Sequence, residues 1–223
     1  MGEFHVASII PESITGPAVR YNGHMMRLVG VDEVGRGPVA GPVTVCAVIL
    51  RRSLPRGFFT GIRNSKALTE TARLAWYRKA REARTKAFLQ FAVASRSANF
   101  IDRRGIASAL RASVASALKR LECKPSEAQI FLDGSLYAPV VYKNQKTIVR
   151  GDEKVPLIAL ASIIAKVHRD RRMKRHAKRF PEYGFDAHVG YGTPAHYHAI
   201  RAHGPCKLHR ISFLTILLQN KRS

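Results

Sequence analysis

Four carboxylates in this chain close or follow apolar runs, and their placement could do chemistry. Asp32 and Glu33 end a run containing Leu28, Val29 and Val31. Asp133 ends the run Ala128 to Leu132, and Asp152 follows Thr147 to Val149. Short β-rich apolar runs read as strands. Strand ends in an α/β sheet gather along one edge, where loops build sites. Four acids converging there repel one another unless a cation neutralises them. An all-carboxylate set without Cys or His suits a hard divalent ion, Mg2+ or Mn2+. Taken singly, each acid has a plainer explanation. Asp133-Gly134 is a turn dipeptide, and Asp152 is a loop acid able to pair with Arg150. Neighbours on a strand, such as Asp32 and Glu33, point to opposite faces, which leaves one of them to solvent.

The elements that position these acids follow from periodicity. Residues 1–26 mix Pro, Gly and polar residues without period and read as a flexible leader, with regular structure starting at Arg27. Val43 to Leu50 is a nearly all-apolar, buried strand that forms a hairpin with the first across the turn Gly35 to Pro42. Leu54 to Lys66 reads as loop. Thr69-Glu70 starts a helix running to Arg84, and Ala87 to Ser95 returns to strand. Ile106, Leu110, Val114, Leu118 and Leu121 mark one face of an amphipathic helix. A long helix from Pro156 to Lys178 has an apolar first half and a basic second half. Thr193-Pro194 supplies the cap and first residue of one more helix, closed by Gly204. A hairpin followed by strands alternating with helices predicts an α/β domain, a mixed β-sheet flanked by helices with a C-terminal helical part.

Charge narrows the partner. The 223 residues include 38 Lys and Arg against 15 Asp and Glu, a formal charge of +23. Self-repulsion on that scale opposes a compact state. Its natural use is a polyanion, whose condensed counterions are released as phosphates are neutralised. The basic residues are densest from Lys166 to Arg179. A hydrophobic fraction of 46% excludes a disordered chain. Cys46, Cys123 and Cys206 are odd in number and far apart, which argues against a disulfide framework or a zinc site. No apolar stretch reaches the ~18 residues of a membrane span, and no secretory design opens the chain. A cytoplasmic protein with no membrane partner is expected. Charge alone leaves a non-catalytic nucleic-acid-binding protein as open as an enzyme.

The sequence around the acids resolves that choice by resemblance. The block Asp32-Glu33-Val34-Gly35-Arg36-Gly37-Pro38-Val39-Ala40-Gly41-Pro42 resembles the opening signature of ribonuclease HII. Asn64-Ser65-Lys66-Ala67-Leu68, Phe131-Leu132-Asp133-Gly134, Gly151-Asp152, the run Ile158 to Val167 with Arg169-Asp170, Gly190-Tyr191-Gly192-Thr193 and His209-Arg210-Ile211-Ser212-Phe213 follow in the family's order. An isolated Asp-Glu pair carries no weight, whereas an eleven-residue block with several others in order does.

The resemblance implies a ribonuclease H-like catalytic domain over residues 27–213, with 214–223 as a C-terminal tail. It implies hydrolysis of the RNA strand of RNA–DNA hybrids and cutting 5′ of ribonucleotides embedded in duplex DNA, with 5′-phosphate and 3′-hydroxyl products. Asp32, Glu33, Asp133 and Asp152 are its implied catalytic residues and ligands of two divalent ions, Mg2+ or Mn2+, with Asp32 shared between them. Gly35, Arg36 and Gly37 are implied to read the ribose 2′-hydroxyl, the glycines allowing close backbone approach. Tyr191 would stack on or bond to the sugar at the RNA–DNA junction, and Lys66, Lys166 and the basic half of the long helix would hold phosphates. Asp170 reads as a structural ion-pair partner. The chain is expected to act as a monomer on hybrid duplexes and on DNA containing ribonucleotides. It departs from the family at Asn64, usually Asp, at Val189, commonly Lys, and at Arg150, also a Lys position. Other ribonuclease H-like nucleases and transposases use clustered carboxylates too, but lack the Gly-Arg-Gly reader beside the first acids.

Overall fold

The computed structural model describes residues 18–21 and 24–214. Strands β1 (Ala18–Tyr21), β2 (His24–Val34), β3 (Val43–Leu50), β4 (Leu89–Arg96), β5 (Ala128–Asp133) and β6 (Gln145–Ile148) form one mixed sheet. Its order is β4-β3-β2-β5-β6, with β1 paired to the first half of β2. The β2–β3 and β3–β4 pairs are antiparallel, as the predicted hairpin requires, while β2–β5 and β5–β6 are parallel. Helices are α1 (Glu70–Thr85), α2 (Ala98–Arg120), α3 (Gly151–Lys154), α4 (Pro156–Ala177), α5 (Phe185–His188) and α6 (Pro194–His203).

Regular structure therefore begins before Arg27. The β1–β2 register pairs Tyr21 with His24, which leaves a two-residue connection. The sequence there is Asn22-Gly23, a dipeptide that type I′ hairpin turns favour, and these two residues lie outside the described ones. That local signal is easily lost among the Pro and Gly residues around it. Residues 1–17 of the predicted leader and 215–223 of the predicted tail lie outside the described residues. Leu214, the first residue of that tail, is buried. The strand before Asp152 runs Gln145–Ile148 rather than Thr147 to Val149, and Val149 is exposed.

Thr69 and Thr193 start their helices where the sequence predicts, while Ser97 starts α2 ahead of the predicted face at Ile106. The hydroxyls of Thr69, Ser97 and Thr193 accept from the backbone N–H groups of Ala72, Phe100 and His196, which satisfies donors the first turn leaves free. Gly105, at φ +75°, kinks α2 and separates a short entry segment from the apolar face that follows. All eight residues of β3 are buried because helices cover both sheet faces, which explains their nearly all-apolar run. On one face Val29, Val31, Val45, Ile130 and Leu132 pack with Leu110, Val114 and Leu118 of α2. On the other, Leu28, Cys46, Val48 and Phe131 meet Leu157, Ile158, Leu160 and Ile164 of α4. A third, smaller core joins Val39, Ala40 and Met173 to Tyr183, Phe185, Ile200 and Leu214, the C-terminal helical part. Among the described residues, no helix is long and apolar enough to cross a membrane.

The start of α4 lies directly on β2. A Cβ at Gly30 would stand 2.6 Å from the carbonyl carbon and oxygen of Leu157. Overpacking a core costs ~1–3 kcal/mol and more where nothing can rotate aside, and backbone cannot. Gly30→Ala should therefore lose ~3 kcal/mol or more, read as a lower urea midpoint. An unchanged midpoint would contradict the close seating of α4 on β2.

Candidate active site

Parallel pairing brings two of the acids together. Val31 of β2 lies opposite Leu132 of β5. Asp32 and Asp133 therefore stand one step beyond, on neighbouring strands ~4.8 Å apart. Glu33 belongs to the other sheet face by alternation, yet it sits near the end of β2 and its longer side chain reaches the same place. Asp32, Glu33 and Asp133 each offer a carboxylate oxygen, and these atoms lie within 4.8 Å of one another. Asp152 stands apart from this trio, in the first turn of α3 rather than at a strand end. Its backbone N–H points at Asp133 Oδ1 from 3.4 Å, and that of Gly151 donates to the same oxygen at 2.6 Å. The first turn of α3 thus orients Asp133, and Asp152 flanks the trio. No ion pair joins Asp152 to Arg150 among the described residues.

The electrostatics are unfavourable for bare carboxylates. Burial, then the charges of Glu33 and Asp133, hold the Asp32 carboxyl well above the usual carboxylate range, against a hydrogen bond from Ser162. Burial also raises Glu33, with Asp133 adding to it and Arg36 opposing. Asp152 is raised by burial and by Asp133, with Lys66 opposing. Arg36 Nε meets Glu33 Oε1 at 3.1 Å. The other oxygen, Glu33 Oε2, is buried with no hydrogen-bond partner among the described residues. An unpartnered buried carboxylate oxygen among acids is a costly arrangement. A divalent cation with oxygen ligands fits it in charge and in chemistry.

The other predicted residues divide into those at the trio and those that serve it from behind. Gly35 is buried at φ +87°, and a Cβ there would lie 2.2 Å from Arg169 Nε. An internal contact therefore already requires glycine here. Gly37 is exposed, with nothing within 4 Å of its Cβ position. Arg36 bonds Ser135 Oγ at 3.0 Å besides Glu33. Lys66 is exposed and near enough to act on Glu33 and Asp152. Lys166 pairs with Asp170 at 3.0 Å within α4, so Asp170 is an ion-pair partner and Lys166 is partly committed to it. Tyr191 is 42% exposed, with Arg169 Cζ 5.9 Å from its ring centroid. At Asn64 the side-chain oxygen accepts from the N–H groups of Lys66 and Ala67, a turn role that Asp performs equally, while its amide donates to Glu153.

Several supporting residues escape a reading by residue type. Ser162 Oγ and Ser65 Oγ bond each other at 2.8 Å behind Asp32. His196 and His209 are buried, joined at 3.1 Å, and His196 Nδ1 contacts the Tyr191 carbonyl oxygen at 2.8 Å. Burial pushes His196 down to about 4, so it is neutral beneath the Tyr191 loop. Ser65, Ser162 and His209 all lie inside the sequence blocks quoted above, which is the signal that marks them.

The raised pKa values give a sign for stability. A carboxyl whose folded-state pKa exceeds its unfolded value favours folding when protonated. Its penalty is absent below the ordinary carboxylate range, ~4, and grows as pH rises through the folded-state value. In EDTA, Asp32→Asn should therefore melt above the wild type at neutral pH, with the gap closing toward pH ~4. Mg2+ or Mn2+ should raise the melting temperature of the wild type, and Asp32→Asn should lose most of that gain. Equal melting of both proteins in EDTA at every pH would contradict the crowded-carboxylate account.

Comparison with known proteins agrees with this geometry. The family model described as Ribonuclease HII matches residues 29–216. A ribonuclease HII of Burkholderia ambifaria is 46% identical over 187 residues, 84% of this chain and 82% of that protein. One from Burkholderia mallei is 41% identical over 202 residues, 91% of this chain and 90% of its own. The crystal structure of the ribonuclease H2 from Pyrococcus horikoshii superposes with a TM-score of 0.67 at 25% identity, covering 84% of this chain and 93% of that one. The sheet and its flanking helices are thus a ribonuclease H-like α/β fold. The chain belongs to the ribonuclease HII family, hydrolases with ribonuclease H endonuclease activity.

Proposed function

We propose that the chain cuts the RNA strand of RNA–DNA hybrids and also cuts 5′ of ribonucleotides embedded in duplex DNA, leaving 5′-phosphate and 3′-hydroxyl ends. The observation that carries this reading is the trio of Asp32, Glu33 and Asp133 beside the exposed Arg36 and Gly37. Asp32, Glu33, Asp133 and Asp152 would hold two divalent ions, Mg2+ or Mn2+, whose chemistry is activation of water and stabilisation of the leaving 3′-oxygen in an in-line displacement. Asp32, buried between the other two acids, is the ligand suited to sharing.

The protein's own part is orientation and discrimination. Gly37, open on its Cβ side, lets the backbone of the Gly35-Arg36-Gly37 loop meet a ribose, where the 2′-hydroxyl separates RNA from DNA. Tyr191 offers an exposed ring for the sugar at the junction. Lys66 brings positive charge to the rim of the acids. Farther out, a cleft of about 560 Å³ between α4 and the edge strand β4 is lined by Arg84, Arg120, Arg172 and Arg175. None of these four forms an ion pair among the described residues. Such a surface supports contact with phosphates away from the cut.

The test is a 5′-labelled DNA duplex holding one ribonucleotide, incubated with Mg2+ or Mn2+. Cutting on the 5′ side of that ribonucleotide is expected, with none in an all-DNA control. Loss of several kcal/mol of charge stabilisation in Asp32→Asn should lower the rate by ~10³-fold or more. Tyr191→Ala should lose roughly 5- to 150-fold in cutting, the worth of one stacking contact, with duplex binding retained. Binding without metal-dependent cutting would favour the non-catalytic reading. Equal loss of cutting and binding in Tyr191→Ala would remove its proposed role.

A further inference from the structure

Among the described residues, two arginines are fully buried and form no ion pair with a carboxylate. Arg169 is 1% exposed and Arg210 is 0% exposed. Among the described residues neither forms an ion pair, and Asp102, the acid whose charge reaches Arg210, bonds Ile211 and Ser212 instead. Buried cations are retained only where every donor is satisfied. Here each of the three guanidinium nitrogens of either residue donates to a backbone carbonyl. Arg210 donates to the oxygens of Gly35 at 2.6 Å, Arg36 at 2.8 Å and Gly41 at 3.0 Å. Arg169 donates to Pro42 at 3.0 Å, Ala40 at 3.2 Å and Val189 at 2.8 Å.

Five of those six carbonyls belong to one loop, residues 35–42. The sixth, Val189, precedes Gly190-Tyr191-Gly192, and Ala40 N–H donates to the Gly190 oxygen at 3.1 Å. Val189 has φ +45°, a conformation that a β-branched residue seldom adopts. Arg169 holds the carbonyl of this strained residue. The loops carrying Gly37 and Tyr191 are thereby fastened to each other through one guanidinium.

Peptide geometry gives the Arg210 contacts a direction. In a trans peptide the N–H points opposite to the C=O. The Gly35 carbonyl shares its peptide with the Arg36 N–H, and the Arg36 carbonyl shares its peptide with the Gly37 N–H. Because both carbonyls point inward to Arg210, both N–H groups point outward, where Arg36 and Gly37 are exposed. No acceptor among the described residues takes either N–H. A cation bonded to the carbonyl end also polarises each peptide and makes its N–H a stronger donor. Although burial lowers Arg210 to about 10, with Arg169 adding to the effect, it remains charged at neutral pH.

We infer that Arg210, with Arg169 behind it, is a positioning residue for ribonucleotide discrimination: it aims the Arg36 and Gly37 N–H groups at the ribose and fixes their distance to Tyr191. The inference rests on the proposed function and adds residues that never touch substrate. Lys keeps the charge but has no planar fork to span three carbonyls. Arg210→Lys should fold, bind an all-DNA duplex in EDTA within about 2-fold of wild type, and lose ~10-fold or more of kcat/KM on a single embedded ribonucleotide. Tyr191→Ala placed on top of Arg169→Lys should cost less than it does alone, since the two act as a unit.

A merely structural role would instead lower the melting temperature and the active fraction, and leave kcat/KM per folded molecule unchanged. That result would overturn the inference. If Arg210→Lys does not fold, the wild type decides. The Arg36 and Gly37 amide resonances should shift on adding a ribonucleotide-containing duplex in EDTA and stay in place with the all-DNA duplex; identical responses would overturn it. A wild type that cuts normally beside an unimpaired Arg210→Lys sinks this inference alone, whereas a wild type that does not cut sinks the functional reading first.

Discussion

Three carboxylates confined within 4.8 Å of one another, two of them on neighbouring strands, are the constraint from which the rest of this structure follows. Such a cluster opposes its own folding. Burial and mutual repulsion push Asp32 and Glu33 toward the protonated state, and one oxygen of Glu33 has no hydrogen-bond partner among the described residues. Everything around the trio limits this cost without removing it. Arg36 faces one side of Glu33, the α3 backbone N–H groups face Asp133, and a pair of serines stands behind Asp32. None of these neutralises the set. The residual imbalance is what a bound divalent cation would relieve, and a stability optimum would have erased it.

The helix α4 is the element that makes the constraint tolerable. Its start presses on β2 at Gly30, its middle delivers Ser162 to the acids, and Arg169 and Met173 carry its second half into the third core. One rigid rod therefore fixes the acid-bearing edge of the sheet and the C-terminal loops in a single frame. The outer face of its second half stays basic. Lys174 pairs with Glu70 of α1, while Arg172 and Arg175 line the cleft beside β4. The basic surface and the confinement of the acids thus belong to one helix.

Much of this is legible in the sequence because it depends on local pattern. The nearly all-apolar run from Val43 to Leu50, the Thr69 and Thr193 caps and the acids closing Leu28 to Val31 and Ala128 to Leu132 are all local features. The rest depends on contacts that pattern does not encode. A four-residue helix carrying Asp152 is too short for any period to show. Alternation assigns Glu33 to the wrong face, because a side chain at a strand end is free to bend around it. Gly35 looks like half of a symmetrical Gly-Arg-Gly reader, but its missing side chain makes room for Arg169. Arg169 and Arg210 are hidden for the same reason: arginines are almost never fully buried, and carbonyl partners on a distant loop leave no trace in composition. The β1–β2 hairpin differs, since Asn22-Gly23 announces it and only the surrounding Pro and Gly residues obscure it.

The central claim, that the crowded acids form a specific site for divalent cations, is tested most directly by calorimetric titration of Mn2+ into the substrate-free protein. The account predicts saturable binding competed by Mg2+, with protons released as Asp32 and Glu33 ionise, and abolished in Asp133→Asn. Weak, non-saturating heat that is the same in Asp133→Asn and in the wild type would contradict it.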